Sequence, residues 1–177
     1  ILLLNAFPGT GKLTIAPLLA APSILLHNHL LVDPAAAIYP ERDQNHYALR
    51  RAFRKTAFDA LKADNRDLSI IMAACLGNSA ADVAVLAEYV DVARVRNVPF
   101  ILVNLVCDMD EHVARLQGRE RGEGARTKLR DGEVLRELMA GNTLVRAREH
   151  RELWEGVEVR TYEMDTTGRE AGEVAGK

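Results

Sequence analysis

Aromatic side chains are scarce. They make up 5% of the chain, so the rows of stacking rings that hold single-stranded nucleic acid are not expected. Net charge is scarce too: 23 basic against 25 acidic residues leave −2, with neither the basic footprint of a general nucleic-acid binder nor a polybasic membrane surface. No apolar run approaches the ~20 residues of a membrane-spanning helix. Ile1–Leu4 is too short, and lacks the basic flank, to read as a signal peptide. There are two cysteines, Cys75 and Cys107, and no C-x-x-C, which argues against a zinc or dithiol motif. Each follows an apolar run. If those two runs are strands flanking the first one, they lie about 10 Å apart, beyond the ~7 Å Cα separation that a disulfide allows. Both cysteines then read as reduced core residues of a cytoplasmic protein.

What the sequence has instead is alternation. Ile1–Leu4, Ser23–His27, Leu68–Ala73 and Phe100–Val106 read as strands, near-continuously apolar as in strands covered on both faces. Val157–Tyr162 alternates and reads as a fifth strand, nearer an edge. Asn45–Lys62 carries Leu49, Ala52, Phe53, Ala57, Ala60 and Leu61 at helical spacing, and Ala80–Asn97 is similar and stops before Pro99. Asp108-Met109-Asp110-Glu111 has the form of a capping box opening a further helix. Strands alternating with helices predict an α/β fold on a parallel sheet, in one domain spanning 1–177. Pro17 falls where the first helix should run. It removes a backbone bond at a cost of about 3 kcal/mol in a regular helix, so a kink or early end is expected near Ala16.

The first strand runs into Asn-Ala-Phe-Pro-Gly-Thr-Gly-Lys-Leu-Thr, residues 5–14. A strand, a glycine-rich turn, a lysine and a helix start make a phosphate cradle: turn amides surround the anion, and Lys12 reaches the outer phosphates. Pro8, Gly9, Thr10, Gly11, Lys12, Leu13 and Thr14 are its candidate nucleotide-binding residues. Two positions depart from G-x-x-x-x-G-K-[ST]. Ala6 stands at the first glycine, costing about 1 kcal/mol if that backbone needs a glycine conformation. Leu13 follows the lysine and Thr14 comes one place later, a helical step of about 100° that puts a Mg²⁺ contact through Thr14 in question.

In open parallel sheets ligands lie outside the carboxyl ends of the strands, and here those ends are polar. Strand two gives His27, Asn28, His29 and then Asp33. Asp33 is either the carboxylate that orients an acceptor hydroxyl and takes its proton, or a turn residue opening Asp-Pro. His27-Asn28-His29 admits acceptor binding, metal binding or a structural role. Strand alternation would put His27 and His29 on one face and Asn28 on the other. Strand four gives Asp108, a helix cap or a water-mediated Mg²⁺ contact. Strand five gives Asp165, Thr166, Thr167 and Gly168. Arg50, Arg51 and Arg54 read as a solvated basic face, with anion binding as the other possibility.

The segment 115–130 is basic and glycine-rich, as a lid closing over phosphates would be; a solvated helix end and loop is the plain alternative. Arg115 and Arg119 lie one helical turn apart and could both face the phosphates. Strand three ends in Ala73-Ala74-Cys75, without the acid that motor-type ATPases use for Mg²⁺ and water. A small kinase needs that acid less, because phosphates and water hold most of its Mg²⁺.

The cradle resembles that of adenylate kinase and its relatives, which carry G-x-P-G-x-G-K-x-T. With Asp33, R-L-x-x-R and Asp-Thr-Thr-Gly, the whole chain looks like the P-loop small-molecule kinase group of adenylate, shikimate, gluconate and chloramphenicol kinases. It also resembles microbial AAA-family ATPase or kinase-like sequences with a G-K-L-T-I-A cradle and a His-Asn-His-Leu segment. The resemblance implies the P-loop NTPase fold, a three-layer α/β/α sandwich with a five-stranded parallel sheet in the order 2-3-1-4-5. It implies ATP and Mg²⁺ as cofactors, a lid with Arg115, Arg119 and Arg121, and Asp165–Gly168 beside the base. The expected activity is transfer of the γ-phosphoryl of ATP to a hydroxyl of a small molecule. Lys12, Asp33, Arg115 and Arg119 are the expected catalytic residues, and His27, Asn28, His29 and Asp33 hold the acceptor. An NTP-hydrolysing switch and an inactive nucleotide-binding module are the alternatives.

Overall fold

Strands β1 (Leu2–Asn5), β2 (Ser23–His27), β3 (Ser69–Ala74), β4 (Phe100–Val106) and β5 (Val159–Asp165) form one parallel sheet in the order β2-β3-β1-β4-β5. This is a computed structural model, and it describes residues 1–19, 23–117 and 131–176. The helices are α1 (Lys12–Ile15), α2 (His29–Ile38), α3 (Gln44–Ala63), α4 (Ala80–Arg96), α5 (Met109–Gln117), α6 (Gly132–Gly141) and α7 (Ala171–Ala175).

Two apolar layers sandwich the sheet. Leu3, Met72, Phe100 and Leu102 pack with Phe58 of α3, with Leu86, Tyr89 and Val90 of α4, and with Trp154. On the other face Leu4, Ile71, Val103 and Leu105 pack with Ile15, Ala16 and Val174. Successive strand residues point to opposite faces, so central strands that are buried on both sides must be apolar throughout. β5 is an edge strand with mostly exposed side chains, as its alternation predicts. It runs three residues further than the sequence pattern suggests, so Asp165 is its last residue rather than part of the loop.

Local signals set the helix ends. Asp43 caps α3, accepting from the His46 amide at 2.9 Å; Ser79 caps α4, which ends on Asn97 in the left-handed region (φ 52°). α1 gives way to a 3₁₀ turn at Ala16–Leu19, the early ending that Pro17 demands. The other proline corrects an expectation. Asp33-Pro34 is not a turn: α2 begins directly after β2 and carries Pro34 inside it, without the amide that would bond the Leu30 carbonyl. The basic-face reading of α3 is also corrected. Arg54 is buried and grips Glu88 of α4 through Nε (2.6 Å) and Nη2 (3.1 Å), Arg50 is half-buried, and of the three only Arg51 is exposed.

Both cysteines are free, and they follow the two strands that flank β1. Burial raises the pKa of the Cys75 thiol, and the charges of Lys12 and Arg50 partly oppose that shift. Among the described residues no helix is long and apolar enough to cross a membrane.

Candidate active site

All five strands are parallel, so their carboxyl ends open on one side of the sheet. β1 is central. The loop Ala6–Gly11 leaves it there, beginning beside the end of β3, where the Ala6 amide donates to the Ala74 carbonyl at 3.2 Å. Gly9 (φ 106°) and Gly11 (φ 92°) turn the loop through the left-handed region. Ala6 does not need a glycine's backbone: among the described residues only Asn97 has a positive φ without being glycine. The alanine therefore carries no conformational penalty. The Lys12 ammonium lies over this loop, donating to the carbonyls of Ala6 (2.6 Å) and Phe7 (2.9 Å). Thr10 is buried, and its hydroxyl donates to the Phe7 carbonyl. Leu13 packs into the lower apolar layer, and Thr14 on the next position is exposed.

The loop is held from both sides. At its root, a buried amide pair spans three strand ends: Asn5 Nδ2 donates to the Leu76 carbonyl and to Asn104 Oδ1 (both 3.0 Å), Asn5 Oδ1 accepts from the Leu76 amide (2.7 Å), and Asn104 Nδ2 donates to the Val145 carbonyl. At its tip, His112 of α5 lies 2.6 Å from the Pro8 carbonyl through Nε2. A carbonyl only accepts, so Nε2 carries the proton. Sequence periodicity missed all three of these residues. The one available signal was a lone asparagine in each of two apolar strands.

A Cβ on Gly9 would sit 2.7 Å from His112 Cδ2, in addition to the positive φ. Gly9→Ala is expected to destabilise the fold by about 2–4 kcal/mol, combining left-handed strain with overpacking. That corresponds to a fall in melting temperature of roughly 5–15 °C for a chain of this size. Gly168→Ala has the strain but nothing within 4 Å of the new carbon, and should fall less. Equal melting temperatures for the two variants would show that the His112 contact is unimportant.

On one side of the loop, around β2, the polar residues converge. Strand alternation does not extend through His27-Asn28-His29, because the strand stops at His27 and Asn28 already has helical backbone angles at the start of α2. The helical turn still brings the His27 and His29 rings to 6.2 Å, edge to face. His29 Nδ1 lies 3.3 Å from Asp33 Oδ1, one turn along α2, and the Asp33 side chain is 43% exposed. Asn28 Oδ1 accepts from Arg50 Nη2 at 3.1 Å.

On the other side, α5 meets the β5–α7 loop. Asp108 caps α5, with Oδ1 accepting from the amides of Asp110 and Glu111, while its own amide donates to Thr167 Oγ1. The cap is one-sided: Glu111 turns away to the Gly168 amide and to Arg115. Arg115 donates to Thr166 Oγ1 and to the Thr166 carbonyl. Thr167 bonds Asp165 Oδ1 through its hydroxyl (2.6 Å) and amide, which holds the Asp165 carboxyl below the usual range. Arg119 and Arg121, and segment 115–130 beyond Gln117, lie outside the described residues.

No protein-family model matches the sequence, and no curated protein matches it. Solved structures do. A candidate kinase from Chloroflexus aurantiacus superposes with a TM-score of 0.62 at 18% identity, over 99% of this chain and 94% of that one. A gluconokinase from Sinorhizobium meliloti gives 0.58 at 12% identity, over 98% and 86%. A shikimate kinase from Acinetobacter baumannii, solved with shikimate, gives 0.53 at 16% identity, over 99% and 88%. The chain has the P-loop NTPase fold, with the five-stranded parallel sheet in the order 2-3-1-4-5. At these identities the likeness is one of fold.

Thr14, one place after Leu13, is exposed, and Asp108 Oδ1 is engaged as a helix cap. Among the described residues no three His, Cys, Asp or Glu side chains are grouped to hold a metal ion.

Proposed function

We propose that the protein is an ATP-dependent phosphotransferase that moves the γ-phosphoryl of ATP to a hydroxyl of a small molecule. The observation that carries this reading is the flanking of a glycine-turned loop and its lysine by two polar clusters of different kinds. Neighbouring strands are about 4.8 Å apart, so β2 and β5 each end about 10 Å from the loop, on opposite sides. That spacing suits an acceptor on one side, near His27, Asn28, His29 and Asp33. A nucleotide base suits the other, near Asp165, Thr166, Thr167 and Gly168.

In this reading the amides of Gly9–Lys12 and the Lys12 ammonium bind the β- and γ-phosphates and stabilise the charge that grows there during transfer. Asp33 accepts the proton of the acceptor hydroxyl, with His29 holding its carboxylate. The acceptor oxygen forms a bond to the γ-phosphorus, the bond from that phosphorus to the β,γ-bridging oxygen breaks, and ADP leaves. Arg115, Arg119 and Arg121 belong to the lid that excludes water. Mg²⁺ supplies charge neutralisation on the phosphates. Thr14 is the protein group that fits it best, and a site with so few protein ligands is usual for Mg²⁺ held by phosphates and water.

β3 ends at Ala74 and Cys75 follows it, so an ATPase switch has no acid there to position water. One observation favours an inactive nucleotide-binding module: Leu13 occupies the usual hydroxyl position and packs inward. Calorimetry with ATP and Mg²⁺, followed by ADP release across a library of hydroxylated acceptors, separates the readings. Binding plus release stimulated by one compound class supports the kinase. Release without an acceptor supports a switch, binding without release supports the module, and no binding by the wild type ends all three.

A further inference from the structure

Three successive carbonyls lead into the glycine turns of the loop after β1, and each is held by a donor. The Lys12 ammonium holds those of Ala6 and Phe7, and His112 Nε2 holds that of Pro8 at 2.6 Å. Lys12 belongs to the same segment as the loop. His112 comes from α5, 104 residues from Pro8, and is fully buried. Its ring reaches the Pro8 carbonyl across the bare Cα of Gly9, where a Cβ would lie 3.0 Å from Nε2. Beside this contact is a cavity of about 210 Å³, bordered by Phe7, Thr10, His112 and Leu144. The loop is therefore not wedged in place by packing on that side, and the hydrogen bond carries the constraint.

A peptide unit is planar and trans, so its C=O and N–H point in opposite directions. Fixing the Pro8 carbonyl toward α5 thus fixes the Gly9 N–H away from α5. Among the described residues no carbonyl accepts from that amide. Turning the Pro8–Gly9 unit by half a rotation would withdraw the N–H and put a carbonyl oxygen in its place. An oxyanion is attracted by the first orientation and repelled by the second.

We propose that His112 is a positioning residue for phosphate binding: by holding the Pro8 carbonyl against α5, it aims the Gly9 amide at the phosphates of a nucleotide. This role rests on the phosphate-cradle reading of the loop. His112 acts through the peptide, and its loss leaves the Pro8–Gly9 unit free to present either end to the anion.

The test compares two variants. His112→Gln keeps an N–H donor of similar reach, and His112→Met fills the space without one. In the nucleotide-free protein the Pro8 carbonyl carbon resonance should move upfield in His112→Met and stay near its wild-type position in His112→Gln. Calorimetry with ADP and Mg²⁺ should give an affinity about 10–100-fold weaker in His112→Met, the loss expected for a hydrogen bond to a charged group, and recovered in His112→Gln. A merely structural role would make affinity follow melting temperature in both variants. ADP affinity that is retained in His112→Met, or lost equally in both variants, overturns the positioning role and leaves the phosphate loop standing. A wild type that does not bind ADP ends the phosphate reading and this role with it. Should His112→Met fail to fold, the wild type decides: a Gly9 amide resonance that does not move on saturation with ADP overturns the proposal.

Discussion

Lys12→Ala should eliminate ATP binding detectable by calorimetry and reduce any phosphoryl transfer by about 10²–10³-fold, the loss typical of removing one preorganised donor from a site of developing charge. The lysine is well placed for this. Its ammonium already lies over the loop, held by the Ala6 and Phe7 carbonyls, so it needs little reorganisation to meet a phosphate there. The substitution should leave the fold intact. Lys12 is only half-buried, and the glycine turns, the Asn5–Asn104 pair and the His112 contact all remain. A melting temperature close to that of the wild type, measured beside the binding isotherm, would establish this. Wild-type affinity in the variant would mean that the loop is not a phosphate cradle.

Asp33→Asn has the opposite profile. ATP affinity should be retained, while acceptor-stimulated ADP release falls by about 10²–10⁴-fold, the range for loss of a positioned general base. The amide is nearly the same size and can still meet His29, so the helix should be undisturbed. Pre-steady-state mixing with the acceptor would separate a lost chemical step from weaker acceptor binding. Full stimulated activity in Asp33→Asn would assign the proton to another group.

What the sequence made legible follows the range of the interactions involved. β2 and β4 match their apolar runs to the residue, because a strand covered by neighbours is written locally. Pro17 announces the change from α1 to a 3₁₀ turn for the same reason. The glycine-rich loop is legible because its geometry depends on its own backbone. The start of α2 was not: His27-Asn28-His29 continues a strand pattern, and only tertiary packing turns it into a helix with Pro34 inside. The arginines of α3 were misread because Glu88, the partner of Arg54, lies 34 residues away. Asn5 and Asn104 are 99 residues apart, and His112 and Pro8 are 104 apart. No periodicity connects such pairs.

α5 has a mechanical consequence. His112 fastens it to the tip of the glycine-turned loop after β1. Glu111, the residue before His112, and Arg115, three residues on, fasten the helix to the loop that follows β5. A helix advances 1.5 Å per residue, so His112 and Arg115 lie about 5 Å apart along a stiff rod. The rod works as a gauge block: the gap between the loop after β1 and the loop after β5 is bridged by one short helix. Inserting a single residue between His112 and Arg115 would turn one anchor by about 100° away from its partner. The spacing of these two loops is thus written into the pitch of α5.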